Sequence, residues 1–196
     1  MSVEKTETKP DQPGRGLYEW TQALVCSVLA AVVLFAFGAR VVGVSGGSMR
    51  ETLQNGDLLL VVNGPLCGEY RRGDVVIAAK TSFEHGEPIV KRVIATEGQA
   101  VDVDFDRGLV YVDGEALEEP YIREDTHLDL GMAYPFTVPE GCLFLMGDNR
   151  NESRDSREPA LGAVDERCVI GRAVFLLLPG ETAGLRIREW DRIGTL

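Results

Sequence analysis

The sequence predicts a mainly β, antiparallel domain preceded by one N-terminal membrane-spanning helix. Three observations lead to that expectation. An apolar run without a charge fills Thr21 to Ala39. Beyond it, short stretches rich in β-branched residues recur between Gly, Asn and Asp. No long helical period follows Gly43.

Residues Met1 to Gly16 are polar, contain Pro10 and Pro13 and show no apolar period, as expected of a disordered tail. The tail is drawn through residue 20, with Tyr18 and Trp20 where aromatic rings favour a membrane interface. The 19 residues from Thr21 to Ala39 make a helix of roughly 30 Å, the thickness of a hydrocarbon core. A transmembrane anchor is therefore expected over residues 21–41. A buried helix of a soluble protein would be amphipathic, and this run is apolar all round. A cleaved signal peptide has a shorter apolar core behind a basic segment, whereas Lys5, Lys9 and Arg15 are offset by Glu4, Glu7, Asp11 and Glu19. Ala36 and Gly38 would still make a passable cleavage site, so that alternative stays open. Charge does not set the orientation, because basic residues precede the run and Arg40 follows it at once.

Strands are expected at 57–63, 74–80 and 89–94, then at 100–105 and 109–112 as a hairpin turning on Asp106-Arg107-Gly108. Two more are expected at 142–146 and 168–178. These define a domain over 42–180, with about 100–138 as a small β insertion and 181–196 as a C-terminal tail. No internal repeat is present.

The balance of 31 acidic and 20 basic residues, net −11, argues against a nucleic-acid partner, which calls for a basic surface; otherwise it implies solubility. Four cysteines without a C-x-x-C pair give neither a disulfide scaffold nor a zinc site. Cys26 lies in the apolar run. Cys67, Cys142 and Cys168 allow at most one pair, and whether any forms is open. No metal is expected; the Asp125-Thr-His-Leu-Asp129 loop reads as solvated.

Three segments are too polar or glycine-rich for their apolar surroundings. In Val44-Ser-Gly-Gly-Ser-Met-Arg-Glu-Thr-Leu53, a serine follows two glycines, so its hydroxyl and neighbouring amides can be exposed. In isolation such a stretch is also what a linker looks like. In Pro88-Ile-Val-Lys-Arg-Val-Ile-Ala95, Lys91 lies among apolar residues whose burial would lower its pKa toward neutrality. In isolation this is also an ordinary surface strand. The third segment, Gly147-Asp-Asn-Arg-Asn-Glu-Ser-Arg-Asp-Ser-Arg157, follows an apolar strand.

Together, and in this order, the three segments resemble the motifs of the bacterial type I signal peptidases, membrane-bound Ser/Lys proteases that remove signal peptides. The first is similar to that family's Ser-Gly-x-Ser-Met-x-Pro-Thr-Leu, the second to its Lys-Arg-Val and the third to its Gly-Asp-Asn-Arg signature. Gly56-Asp57 and the following strand fit a fourth block, and the likeness runs from the anchor to about Pro179. It implies Ser48 as nucleophile and Lys91 as general base. It further implies that Ser153 orients the Lys91 amine, that Asp155 supports Ser153 and Arg157, and that Asp148 pairs with Arg92. Shallow pockets for small substrate residues at −1 and −3 would be lined near Val44, Met49, Leu53, Ile89 and Val90. The implied partners are secretory preproteins and the lipid bilayer, with the catalytic domain on the extracytoplasmic side and no cofactor.

Two departures stand out: Glu51 replaces the family's usual Pro, and Ala95-Thr-Glu-Gly-Gln99 replaces a usual Gly-x-Pro-Gly-Asp. Some members carry a serine two residues before the nucleophile that completes the oxyanion hole. Here Gly46 holds that position and is grouped with Ser153 and Asp155 as oxyanion and orienting residues; the Ser48 amide is taken as one donor and the second is left open. A self-cleaving repressor protease shares the Ser/Lys pair, but it calls for a DNA-binding domain where this chain has its apolar run. A catalytically dead anchored binding module would lack Ser48 or Lys91. A structural β-domain on a stalk leaves the Gly147–Arg157 cluster unexplained.

Overall fold

The computed structural model describes residues 15–33, 38–181 and 188–196. The expected tail over 1–14, residues 34–37 of the expected anchor (with Ala36), and positions 182–187 lie outside the described residues. The chain divides into two units, 1–38 and 39–196.

The first unit contains helix α1, Arg15–Val33, which begins within the residues expected as tail. From Gly16 to Val33 it is long and apolar enough to cross a membrane. Its apolar side chains are exposed on every side, Leu17, Leu24, Val28 and Val32 among them. The hydroxyls of Thr21 and Ser27 donate to the helix's own carbonyls at Tyr18 and Leu24, so these polar groups carry partners with them into an apolar phase.

Among the described residues, the second unit has twelve strands. They are β1 (Ala39–Gly43), β2 (Leu58–Asn63), β3 (Val75–Ala78), β4 (Ile89–Ala95), β5 (Ala100–Asp104) and β6 (Leu109–Val112). After them come β7 (Glu115–Ala116), β8 (Phe136–Thr137), β9 (Cys142–Met146), β10 (Val164–Asp165), β11 (Val169–Leu178) and β12 (Gly194–Thr195). The larger sheet runs β1-β2-β11-β3-β4-β9-β10, with β12 on β11, and the smaller runs β7-β6-β5-β8. Every strand pairing is antiparallel. The fold is thus mainly antiparallel β behind one apolar helix.

Two boundaries differ from expectation. Ala39, Arg40 and Val41, expected to close the anchor, pair with Val62, Val61 and Leu60. The β-branched Val41-Val42 pair favours extended backbone beside the equally apolar β2. Residues 181–196, expected as a tail, include β12, whose Thr195 and Gly194 pair with Phe175 and Leu176.

Three apolar clusters hold the unit together. One collects Val76, Phe83, Val93, Leu145 and Leu161, and a second collects Met49, Leu53, Leu59, Val61 and Ile77. The third joins Val101, Val103, Val110 and Val112 of the smaller sheet to Ile94, Phe144 and Met146 of the larger. The alternation that made β5 legible buries Val101 and Val103 and turns Asp102 outward. Burying each such side chain contributes roughly 1.5–3 kcal/mol. All four cysteines are free; the buried Cys67 thiol donates to the Val62 and Asn63 carbonyls instead.

Candidate active site

Ser48 lies in the turn between β1 and β2, and the neck of that turn is closed by two backbone bonds. Val44 N donates to Asp57 O, and Gly56 N donates to Val44 O, both at 2.8 Å. Within it, Leu53 N donates to Met49 O at 2.8 Å, and Met49 and Leu53 point into the core. Asp57, fully buried, ties the base of the turn. Its carboxylate accepts from Gln54 N at 2.8 Å, Gly180 N at 2.7 Å and the Arg192 guanidinium at 2.7 Å.

Lys91 sits in the middle of β4, facing Val76 across the β3 ladder. It is 4% exposed. Its Nζ donates to Ser48 Oγ at 2.8 Å, and once the amine is neutral the hydroxyl can donate in return. Burial pushes the Lys91 pKa down to about 8, against the pull of the Asp155, Glu84 and Asp148 carboxylates and with the help of Arg157. Burial wins because the ammonium gives up its hydration.

The segment after β9 frames this pair. Arg92 clasps Asp148 with two bonds, Nε to Oδ1 at 2.9 Å and Nη2 to Oδ2 at 2.7 Å, a fork geometry suited to a buried ion pair. Arg92 Nη1 also donates to Gly73 O at 2.8 Å, and the Tyr121 ring lies 4.0 Å from the guanidinium carbon. Thr52, from the Ser48 turn, donates to the same Asp148 at 2.5 Å. Asp155 takes Arg157 Nε at 2.8 Å, Arg157 Nη2 at 2.9 Å and Gly147 N at 3.0 Å. A side chain at Gly147 would collide with Ser153 Oγ and the Ser48 carbonyl, so only glycine lets these two segments meet.

Three of the implied roles need correction. Ser153 is buried beside Gly147, yet its Oγ has no hydrogen-bond partner among the described residues, so it contacts neither the Lys91 amine nor Asp155 in that way. The Gly46 amide donates to Asn55 Oδ1 at 3.0 Å and is not free as an oxyanion donor. With φ at +94° and open space where a Cβ would be, Gly46 also presents no side chain there. The Ser48 N–H has no partner among the described residues and remains available.

The third correction concerns the pockets. A cleft of about 260 Å³ opens beside Ser48 and Lys91, and Ile89 and Val90 line it as expected. Val44, Met49 and Leu53 do not; they are buried in the core beneath the turn. The other lining residues are Val42, Gly43, Ser45, Ile77 and Pro88. Val42 and Gly43 carry no sequence signal of a cleft wall, because the expected anchor ends at residue 41 and the motif begins at Val44. Ile77 could have been found, since it stands opposite Val90 in the β3–β4 ladder. The structure also reveals Asn149, Arg150 and Arg192. Arg150 is fully buried, with Glu119 at 2.7 Å and Thr126 at 2.8 Å as partners. The Asp125–Asp129 loop is tied to Asn151, whose carboxamide accepts from His127 N at 2.9 Å and Leu128 N at 3.0 Å.

Comparison with known proteins gives consistent relatives. The family described as "Signal peptidase, peptidase S26" matches residues 17–178. Signal peptidase I of Bacillus licheniformis is 35% identical over 185 residues, covering 89% of this chain and 95% of the relative. Signal peptidase I T of Bacillus subtilis (strain 168) is 37% identical over 193 residues, covering 91% and 96% respectively. The crystal structure of a signal peptidase I from Enterococcus faecalis V583 is 30% identical, with a TM-score of 0.44 over 54% of this chain and 97% of that one.

Proposed function

The chain belongs to the S26 signal peptidase family and is a serine endopeptidase that cleaves signal peptides from preproteins; on that basis we propose that Ser48 is its nucleophile and Lys91 its general base. The observation that carries this reading is the 2.8 Å approach of a 4% exposed lysine amine to a serine hydroxyl.

The chemistry follows from those two groups. Neutral Lys91 takes the Ser48 proton as Oγ attacks the scissile carbonyl carbon. The free Ser48 N–H faces the charge that develops on the carbonyl oxygen. Collapse of the tetrahedral species breaks the C–N bond, and the Lys91 ammonium returns its proton to the leaving amine. Water, deprotonated by the same amine, then hydrolyses the acyl-enzyme. The substrate lies extended between Val42, Gly43 and Ser45 on one side and Pro88–Val90 on the other, and pairs through its main chain. The cleft of about 260 Å³ suits small side chains at −1 and −3. Helix α1 anchors the chain in the lipid bilayer as a single pass, with the catalytic unit on the extracytoplasmic side.

Cleavage of a purified preprotein in detergent tests the assignment. Ser48→Ala and Lys91→Ala each lose roughly 10⁴-fold or more; wild-type rates in either variant would exclude the pair. Activity of the wild type rises with pH through about 8 and then levels, because the working form is the neutral amine. A profile flat from mildly acidic to alkaline pH excludes a lysine base.

A further inference from the structure

We propose that Asn149 is a positioning residue that aims the Ser48 amide at the developing oxyanion, by holding the carbonyl at the other end of the same peptide unit. The proposal rests on the assignment of Ser48 as nucleophile. The Gly47 carbonyl and the Ser48 N–H belong to one planar peptide. Cis bonds among the described residues fall at Arg50-Glu51 and Tyr134-Pro135, so this unit is trans and its two dipoles point opposite ways. Fixing the carbonyl inward therefore fixes the N–H outward.

Asn149 Nδ2 donates to Gly47 O at 2.9 Å. Among the described residues, the only other donor to that carbonyl is Arg50 N, at 3.3 Å within the same turn. Asn149 N donates to Ser48 O at 3.0 Å, so one residue holds the carbonyls on both sides of the nucleophile. Such a hold is needed here. Gly46 and Gly47 precede Ser48, and without side chains this backbone has little of its own to resist rotation of the peptide plane.

Asn149 itself is rigidly placed. It is fully buried, its Nδ2 also reaches Glu152 Oε2 at 3.0 Å, and its Oδ1 has no partner among the described residues. A buried carboxamide with one end unsatisfied is costly, which fits a group retained for what its other end does. Its neighbours Asp148 and Arg150 are both locked in buried ion pairs. Because β9 pairs with β4 through Arg92 and Met146, the oxyanion donor is indexed to the sheet that carries the base.

The test is the kinetics of Asn149→Ala and of the isosteric Asn149→Asp, whose carboxylate cannot donate to Gly47 O, beside Ser48→Ala. Deleting an oxyanion donor costs about 10²–10³-fold in kcat, so misaiming one costs about 10- to 100-fold. The expected result for both variants is that loss in kcat with KM changed less than about twofold, since the interaction strengthens in the transition state. In Asn149→Ala the pH midpoint stays at the wild-type value, because Lys91 is untouched, and the melting transition shows a folded enzyme at the assay temperature. A kcat within twofold of wild type in either folded variant overturns the proposal. So does a loss carried by KM, or one accompanied by a displaced pH midpoint in Asn149→Ala, either of which marks general disruption. An active Ser48→Ala would instead remove the nucleophile assignment, and the proposal with it.

Discussion

The proposed nucleophile, Ser48, and the proposed base, Lys91, are held in place by opposite means. Lys91 stands inside β4, hydrogen-bonded on one side to β3 and on the other to β9, so its position is a property of the sheet. Ser48 stands in a turn whose shape is set from outside. Asn149 holds its flanking carbonyls, Asn55 takes the Gly46 amide, and Asp57 with Arg192 and Gly180 ties the base. A strand needs only its neighbours, whereas a glycine-rich turn needs partners brought from elsewhere in the chain. The two regions meet at Asp148, which binds Arg92 next to Lys91 in β4 and Thr52 in the Ser48 turn.

Three substitutions separate the two modes of support. The largest effect is expected at the meeting point. Asp148→Ala leaves the Arg92 guanidinium buried without its partner, which costs about 3–5 kcal/mol, read as a lower midpoint in denaturant unfolding. A midpoint unchanged from wild type would mean that the two regions are independent.

The base strand should tolerate loss of its functional group, and even gain from it. Burial lowers the Lys91 pKa from 10.5 to about 8. Between those values the unfolded chain binds more protons than the folded one, so wild-type stability rises with pH across that window. Below pH 8 the penalty is present in full. Lys91→Met therefore stabilises the protein at pH 6–7 by up to about 3 kcal/mol, with the gain shrinking above pH 8; thermal melting at several pH values checks it. A destabilised Lys91→Met would show that the amine holds the sheet.

The smallest effect is expected in the turn's outer support. Arg192→Gln removes the charged partner of Asp57 but leaves Gln54 N and Gly180 N in place. The cost is about 1–2 kcal/mol, measured by unfolding, with the Lys91 pH midpoint unmoved.

The same contrast explains what could be read in the sequence. The strands around Lys91 were legible because β-branched runs such as Val75-Val76-Ile77 and Val93-Ile94 declare themselves locally. The hairpin at Asp106–Gly108 was legible from turn chemistry. Strand β1 was not, since Ala39 closes the apolar run, Arg40 and Val41 follow it with no turn residue between, and only pairing with β2 marks the segment as sheet. With β1 unseen, the Val42 and Gly43 side of the cleft goes unseen too, and the pocket expected near Val44, Met49 and Leu53 falls instead on buried core residues. Ser48, Lys91 and the Arg92–Asp148 pair came from motif order. Asn149 and Arg192 act on residues 102 and 135 positions away, and no local pattern reports contacts of that kind.

In the proposed mechanism, the burial of Lys91 also sets how many molecules are ready at any instant. With a pKa of about 8, the free amine is the minority form at pH 7. A turnover number measured there averages a small competent population with a large idle one. The chemistry at each competent site then runs faster than the bulk rate suggests.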